Sequence, residues 1–154
     1  MSFIGNIAAA QSAKAMGKYN QQLYNQQAQL ERQKAEQNYK VYEQIQKPQL
    51  LEQQEQAYAS FFVGALKSGA EFRGTPAIVG LKNRTTQLFD LAMADYNAKT
   101  NRTNTINQSI LLQAKGAGEK YKGDLTARTE YIKAGVSLLS MGQQSRTAGE
   151  LVIV

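Results

Sequence analysis

Between about Ala8 and Gln56 the larger residues recur at three–four spacing: Met16, Tyr19, Leu23 and Leu30, then Val41 and Ile45. That rhythm predicts a helix with one apolar stripe. The positions between them are mostly Gln, Ala, Lys and Glu, good helix formers; fourteen of the forty-six residues from Gln11 to Gln56 are Gln. Gln26, Gln33 and Gln37 fall where a tight coiled coil would place Leu, so the stripe reads as wet and in need of neighbours. Pro48 removes a hydrogen bond and crowds the preceding turn, which predicts a kink or short break near Ile45–Pro48. A second helical piece follows from Gln49 through Tyr58, Phe61, Phe62 and Leu66.

The pattern changes at Gly64–Val79, where three glycines and one of the two prolines fall within thirteen positions. Lys67-Ser68 makes a last turn and Gly69 suits the left-handed position beyond it. Thr75 as N-cap and Pro76 at the first helical position restart a helix after Gly74. From Pro76 a second arm runs about sixty-five residues, opened by Ile78, Leu81, Leu88 and Ala92. Its later part repeats every eleven residues through Ile106, Ile110, Ala114, Ala117, Tyr121, Leu125, Arg128, Ile132, Val136 and Leu139. An eleven-residue period keeps a helix nearly straight. Thr100–Ser109 is rich in poor helix formers, but Asn97, Asn101, Asn104 and Gln108 share a helical face and read as a polar seam.

The expected fold is therefore all-α: an elongated antiparallel hairpin of long helices, kinked near Pro48 and assembling into an oligomeric ring or tube. Its parts are a small-residue N-terminal segment (1–15), a Gln-rich arm (16–68), a connecting turn (69–75), a second long arm (76–141) and a flexible tail (142–154). The tail closes on Leu151-Val-Ile-Val154, four apolar residues available for docking. A hydrophobic fraction of 42% in 154 residues, with eight Tyr, five Phe and no Trp, is thin material for a compact core.

Composition also removes chemistry. The chain has no Cys and no His, so thiol nucleophiles, imidazole acid–base catalysis and the usual zinc ligand sets are absent. Asp90 and Asp95 fall five apart, off a shared helical face, as do Glu119 and Asp124. Gly69–Thr75 lacks the Lys-Ser/Thr of a phosphate-binding loop and follows no strand. We expect no enzyme, no metal and no cofactor. No secretory signal or bilayer-length apolar run is read either.

Three sets of residues remain as candidates. Gly69, Gly74, Thr75 and Pro76 form the turn and a potential hinge. Phe3, Ile4, Ile7, Phe61 and Phe62 are apolar residues suited to a membrane surface or a partner. Lys82, Arg84, Lys99 and Arg102 belong to a scattered basic series along the second arm that suits DNA-backbone contact. The net charge is +6, with twelve basic against seven acidic residues in 61–154.

The layout resembles a known family through Tyr58-Ala-Ser60, Lys67-Ser-Gly69, Gly74-Thr-Pro76, Ala94-Asp-Tyr-Asn-Ala98 and Gln113-Ala-Lys-Gly-Ala117. These segments are similar to those of the small internal virion proteins, or DNA-ejection proteins, of short-tailed bacteriophages. The resemblance implies a non-enzymatic helical subunit stored in the capsid interior or portal and tail region. It also implies transfer to the host envelope on infection, to line or extend a conduit for the genome. The partners implied are further copies of the chain, other internal virion, portal or tail proteins, the host envelope membrane and phage DNA without sequence preference. A structural coiled-coil adaptor without membrane activity is the rival reading, and a nonspecific DNA-binding protein the weaker one.

Overall fold

The computed structural model describes residues 3–69 and 74–149, with side chains up to 141. The described residues are helical: α1 (Phe3–Val41), a π-helical turn (Tyr42–Gln46), α2 (Lys47–Lys67) and α3 (Thr75–Gly149). Helix α3 runs unbroken through Thr100–Ser109 and past residue 141 to Gly149. Residues 142–149, expected as part of the tail, are helical, and Gln143, Gln144, Arg146 and Ala148 are residues that a helix accommodates at little cost. Leu151–Val154 lies outside the described residues.

Helix α2 ends on Ser68, whose N–H bonds to the Gly64 carbonyl at 3.1 Å, and Gly69 follows at φ +73°. Only glycine takes that left-handed conformation without strain. Across the connection, Gly74 sits at φ +63° and its carbonyl accepts the bond from the Ile78 N–H at 3.1 Å. Gly74 therefore holds the cap position expected of Thr75, and Thr75-Pro76 form the first turn, where Pro76 needs no N–H partner.

The chain forms two units. In the first, made of residues 1–30 and 108–154, α1 and the later part of α3 pack antiparallel. The buried positions are Asn6, Ala10, Gly17 and Ala28 on α1 and Ser109, Gly116, Ala127 and Ala134 on α3. Gly123 lies on the same seam. A Cβ on Gly123 would sit 2.7 Å from the Ala13 carbonyl oxygen and 2.9 Å from the Gly17 Cα. One on Gly116 would sit 3.0 Å from the Tyr24 Cβ. Backbone meets backbone here, an approach that only small residues permit.

Along this seam spacings of seven (Ala10 to Gly17; Ser109 to Gly116 to Gly123; Ala127 to Ala134) mix with spacings of eleven (Asn6 to Gly17 to Ala28; Gly116 to Ala127; Gly123 to Ala134). The larger residues lie outside it. Met16, Tyr19, Leu23 and Leu30 on α1, and Tyr121, Leu125, Ile132, Val136 and Leu139 on α3, are between 40% and 75% exposed. Their bulk would hold the backbones apart, and in this unit the helices close instead on Ala, Gly and Ser. Gln26, Gln33 and Gln37 are likewise exposed. In the second unit, residues 31–107, α2 and the first part of α3 also run antiparallel, with Ala35, Tyr42, Gln54 and Gly80 buried.

The glycines give a paired test by thermal unfolding. Gly123→Ala should cost about 1–3 kcal/mol through overpacking. Gly118→Ala, with nothing within 4 Å of the added methyl, should gain about 0.5–1 kcal/mol. A Gly123→Ala chain as stable as the parent contradicts the close seam.

Candidate functional site

The most developed polar arrangement lies in the second unit, around the π-helical turn. Pro48 follows that turn in the first turn of α2, where its missing N–H is tolerated. The interruption expected near Pro48 therefore takes the form of a widened turn, and the chain stays helical through the proline. The widening has a consequence for side chains. In an α-helix five residues advance about 500°, leaving Tyr42 and Lys47 about 140° apart. Here the Lys47 N–H bonds the Tyr42 carbonyl, an i to i−5 closure that brings both residues to one side.

Both then grip Asp95 on α3. The Tyr42 hydroxyl donates to Asp95 Oδ1 at 2.6 Å and the Lys47 ammonium to Oδ2 at 3.1 Å. The hydrogen bond from Tyr42, then that from Lys47, hold the Asp95 carboxyl below its usual range. Burial, and next the Asp95 carboxylate beside it, push the Tyr42 hydroxyl up to about 12. Asp95 is thus held ionised with both oxygens engaged, an anchor rather than a proton acceptor for a substrate.

The network continues along the same unit. Arg102 donates from Nε at 3.0 Å and Nη2 at 2.7 Å to one oxygen of Glu36, and its guanidinium lies 5.1 Å from the centre of the Tyr39 ring. Tyr39 donates to Glu43 at 2.7 Å. Tyr39, Tyr42 and Arg102 border a cavity of about 370 Å³ also lined by Ala35, Ala94, Asn97 and Asn101. Further along, Gln54 and Gln87 each donate a side-chain N–H to the other's backbone carbonyl, at 2.9 and 3.2 Å. Each carbonyl accepts with its second lone pair, so two helix backbones are stitched directly.

The structure separates the residues singled out from sequence. Arg102 is committed to Glu36, and Arg84 lies 5.7 Å from the Tyr58 ring centre. Lys82 and Lys99 are exposed, and the four cations are not gathered into one patch. Ile4 is exposed, Phe3 and Ile7 are half-buried, Phe61 is half-buried and Phe62 exposed. Phe61 lines an apolar recess with Pro76 and Val79 where α2 meets the start of α3. Gly69 and Gly74 flank the connection in left-handed conformations. Among the described residues no group of three or more Asp or Glu is placed to hold a metal ion.

Asp95, Tyr42, Lys47 and Glu36 escaped the sequence reading. Asp95 is isolated in sequence, and its partners lie 53 and 48 residues away. Only the register of the two arms brings them together. The seven-residue spacing of Ala28, Ala35 and Tyr42 carried that register, but as a weak hydropathy signal.

Asp95 contributes stability fully present above its unfolded value and lost as pH falls through its lower folded value. Tyr42 contributes below its ordinary value of 10.0, and that share is lost as pH rises through about 12. Asp95→Asn should cost about 1–2 kcal/mol near neutral pH, after allowance for solvent screening. It should also shrink the loss of stability between about pH 4 and the acid extreme. Chemical denaturation followed by circular dichroism across pH checks this; an unchanged acid limb counts against the anchor.

Comparison of the chain with protein-family models, curated proteins and solved structures finds no match.

Proposed function

We propose that the chain is a non-enzymatic assembly subunit, an internal virion protein of a short-tailed bacteriophage that takes part in genome ejection. In this reading it is an elongated, kinked hairpin that forms a ring or tube and contributes to a conduit through the host envelope. It resides in the capsid interior or portal region beforehand. The virion assignment rests on the resemblance carried by Lys67-Ser-Gly69, Gly74-Thr-Pro76 and Ala94–Ala98. The assembly part rests on one observation: the arms close on small residues and leave nearly all their large apolar residues outside.

The placement of those residues favours neighbours on two sides. In the first unit, Lys14 and Lys18 on α1 share a groove with Asp124 and Arg128 on α3. Positions just after the seam on either helix therefore open on a common side. On α1 the stripe Met16, Leu23, Leu30 precedes the seam positions, turned back by about 100–140°. On α3 the stripe Tyr121, Leu125, Ile132, Val136 is turned by about 140–200°, onto the side that faces away from α1. The two stripes therefore occupy different faces of the pair. A single two-fold contact covers only one, whereas head-to-tail contacts cover both and close into rings when the rotation allows.

The area agrees in scale. The chain exposes 11755 Å², against about 7,700 Å² for a compact chain of its mass. The difference is on the order of an obligate interface. Among the described residues no helix is long and apolar enough to cross a membrane. An envelope conduit built from this chain would therefore use assembled amphipathic faces rather than a lone spanning helix.

Release of a dye from lipid vesicles by the purified chain tests the envelope role. Leakage that requires assembled protein, and that falls when Phe61 and Phe62 are changed to Ser, is expected. An assembled protein that releases no dye from any vesicle composition favours the adaptor reading instead.

A further inference from the structure

The groove on the common side of the first unit carries charge that the fold does not use. It has a volume of about 400 Å³ and is lined by Lys14 and Lys18 of α1 and by Lys120, Asp124, Arg128 and Tyr131 of α3, with Ala127 also bordering it. Four cations thus surround one carboxylate, and none of the four makes an ion pair with a described residue. The nearby acids are already matched: Glu119 pairs with Lys122 at 2.9 Å and Glu130 with Lys133 at 2.6 Å. Residues 1–30 contain Lys14 and Lys18 and no acid. Cations held around one concavity repel one another, so the arrangement gains stability from a bound anion.

We propose that this groove binds the phosphodiester backbone of a nucleic acid, without base readout. Its shape and surroundings select that ligand. Lys14 and Lys18 are spaced about 6 Å along α1, and Lys120 and Arg128 about 12 Å along α3. They form two short rows flanking a channel, which suits a chain of phosphates better than one isolated anion. On the same face of α1, Gln11, Gln22 and Asn25 are polar, and the apolar Phe3 and Ile7 lie about 10 Å or more beyond Lys14 toward the N-terminus. A bilayer-binding face would set large apolar residues beside the lysines, but here Met16, Leu23 and Leu30 lie on another flank. The groove also stays uncovered when neighbours occupy the apolar flanks. The site is separate from Lys82, Arg84, Lys99 and Arg102, all of which belong to the other unit. The inference deepens the part of the proposed function that brings the chain to DNA, and it does not depend on the ring.

Fluorescence anisotropy of labelled single- and double-stranded oligonucleotides with the full chain, between about 50 and 200 mM salt, tests it. Lys14→Gln/Lys18→Gln and Lys120→Gln/Arg128→Gln should each weaken binding about tenfold and lower the slope of log affinity against log salt by about 1.5. The control Lys40→Gln/Lys67→Gln, two exposed lysines of the other unit, should change affinity less than about threefold. Asp124→Asn, which removes the single carboxylate, should strengthen binding, an outcome no loss of folding can mimic. The proposal is overturned if the control weakens binding as much as the groove variants, or if the parent chain binds neither oligonucleotide. It is also overturned if inorganic phosphate at constant ionic strength displaces the oligonucleotide completely, or if the groove variants lose binding to anionic vesicles and not to DNA. Light scattering on the same samples keeps the assembly reading separate: groove-dependent binding by a monomer would sink the ring and leave the groove.

Discussion

The close approach of the two arms governs what every other residue can do. Where Gly17 meets Gly123 and Gly116 meets Tyr24, there is no room for a larger side chain between the backbones. Such a seam gains dispersion contacts between backbones but little apolar transfer energy: an Ala methyl removes about one carbon from water, worth about 0.8 kcal/mol, against about 1.5–3 kcal/mol for a Leu or Ile. The large residues are thereby forced outward, where their burial waits for another surface. A chain built this way leaves its strongest hydrophobic groups exposed, which is the basis of the assembly proposed above.

Polar chemistry supplies the register that small residues alone would leave loose. A row of Ala and Gly tolerates sliding, because one methyl resembles the next. The Asp95 anchor does not: its carboxylate receives Tyr42 and Lys47 only when the π-helical turn has brought those two to one side. Pro48 therefore has a role beyond interruption. It favours a local widening that the opposite helix uses as a lock, and the reciprocal Gln54–Gln87 bonds fix the same alignment farther along.

Much of the fold was legible in the chain. Helix formers with three–four periodicity announced the arms, and Gly69, Gly74 and Pro76 announced the connection. What the hydropathy pattern left unmarked was the face on which the arms meet. Met16, Leu23, Ile132 and Val136 obey a helical period, but that period belongs to an outer face. The inner face, written in Ala28, Ala35, Gly116 and Gly123, has almost no hydropathy contrast with the Gln and Asn around it. The anchor was illegible for another reason: it depends on pairing residues about fifty positions apart and on a five-residue change of helical pitch. The basic groove was similarly hidden, since Lys14 and Arg128 meet only once the register is set.

The proposed assembly makes the stability of the folded chain depend on its neighbours. The most direct measurement is the thermal midpoint, read by circular dichroism over about a hundredfold range of protein concentration, with the mass determined at each end. A midpoint that rises with concentration in step with the mass is expected, with a lower, concentration-independent midpoint when Leu23 and Ile132 are both changed to Gln. A parent chain that melts at one temperature throughout, as a monomer, would contradict it.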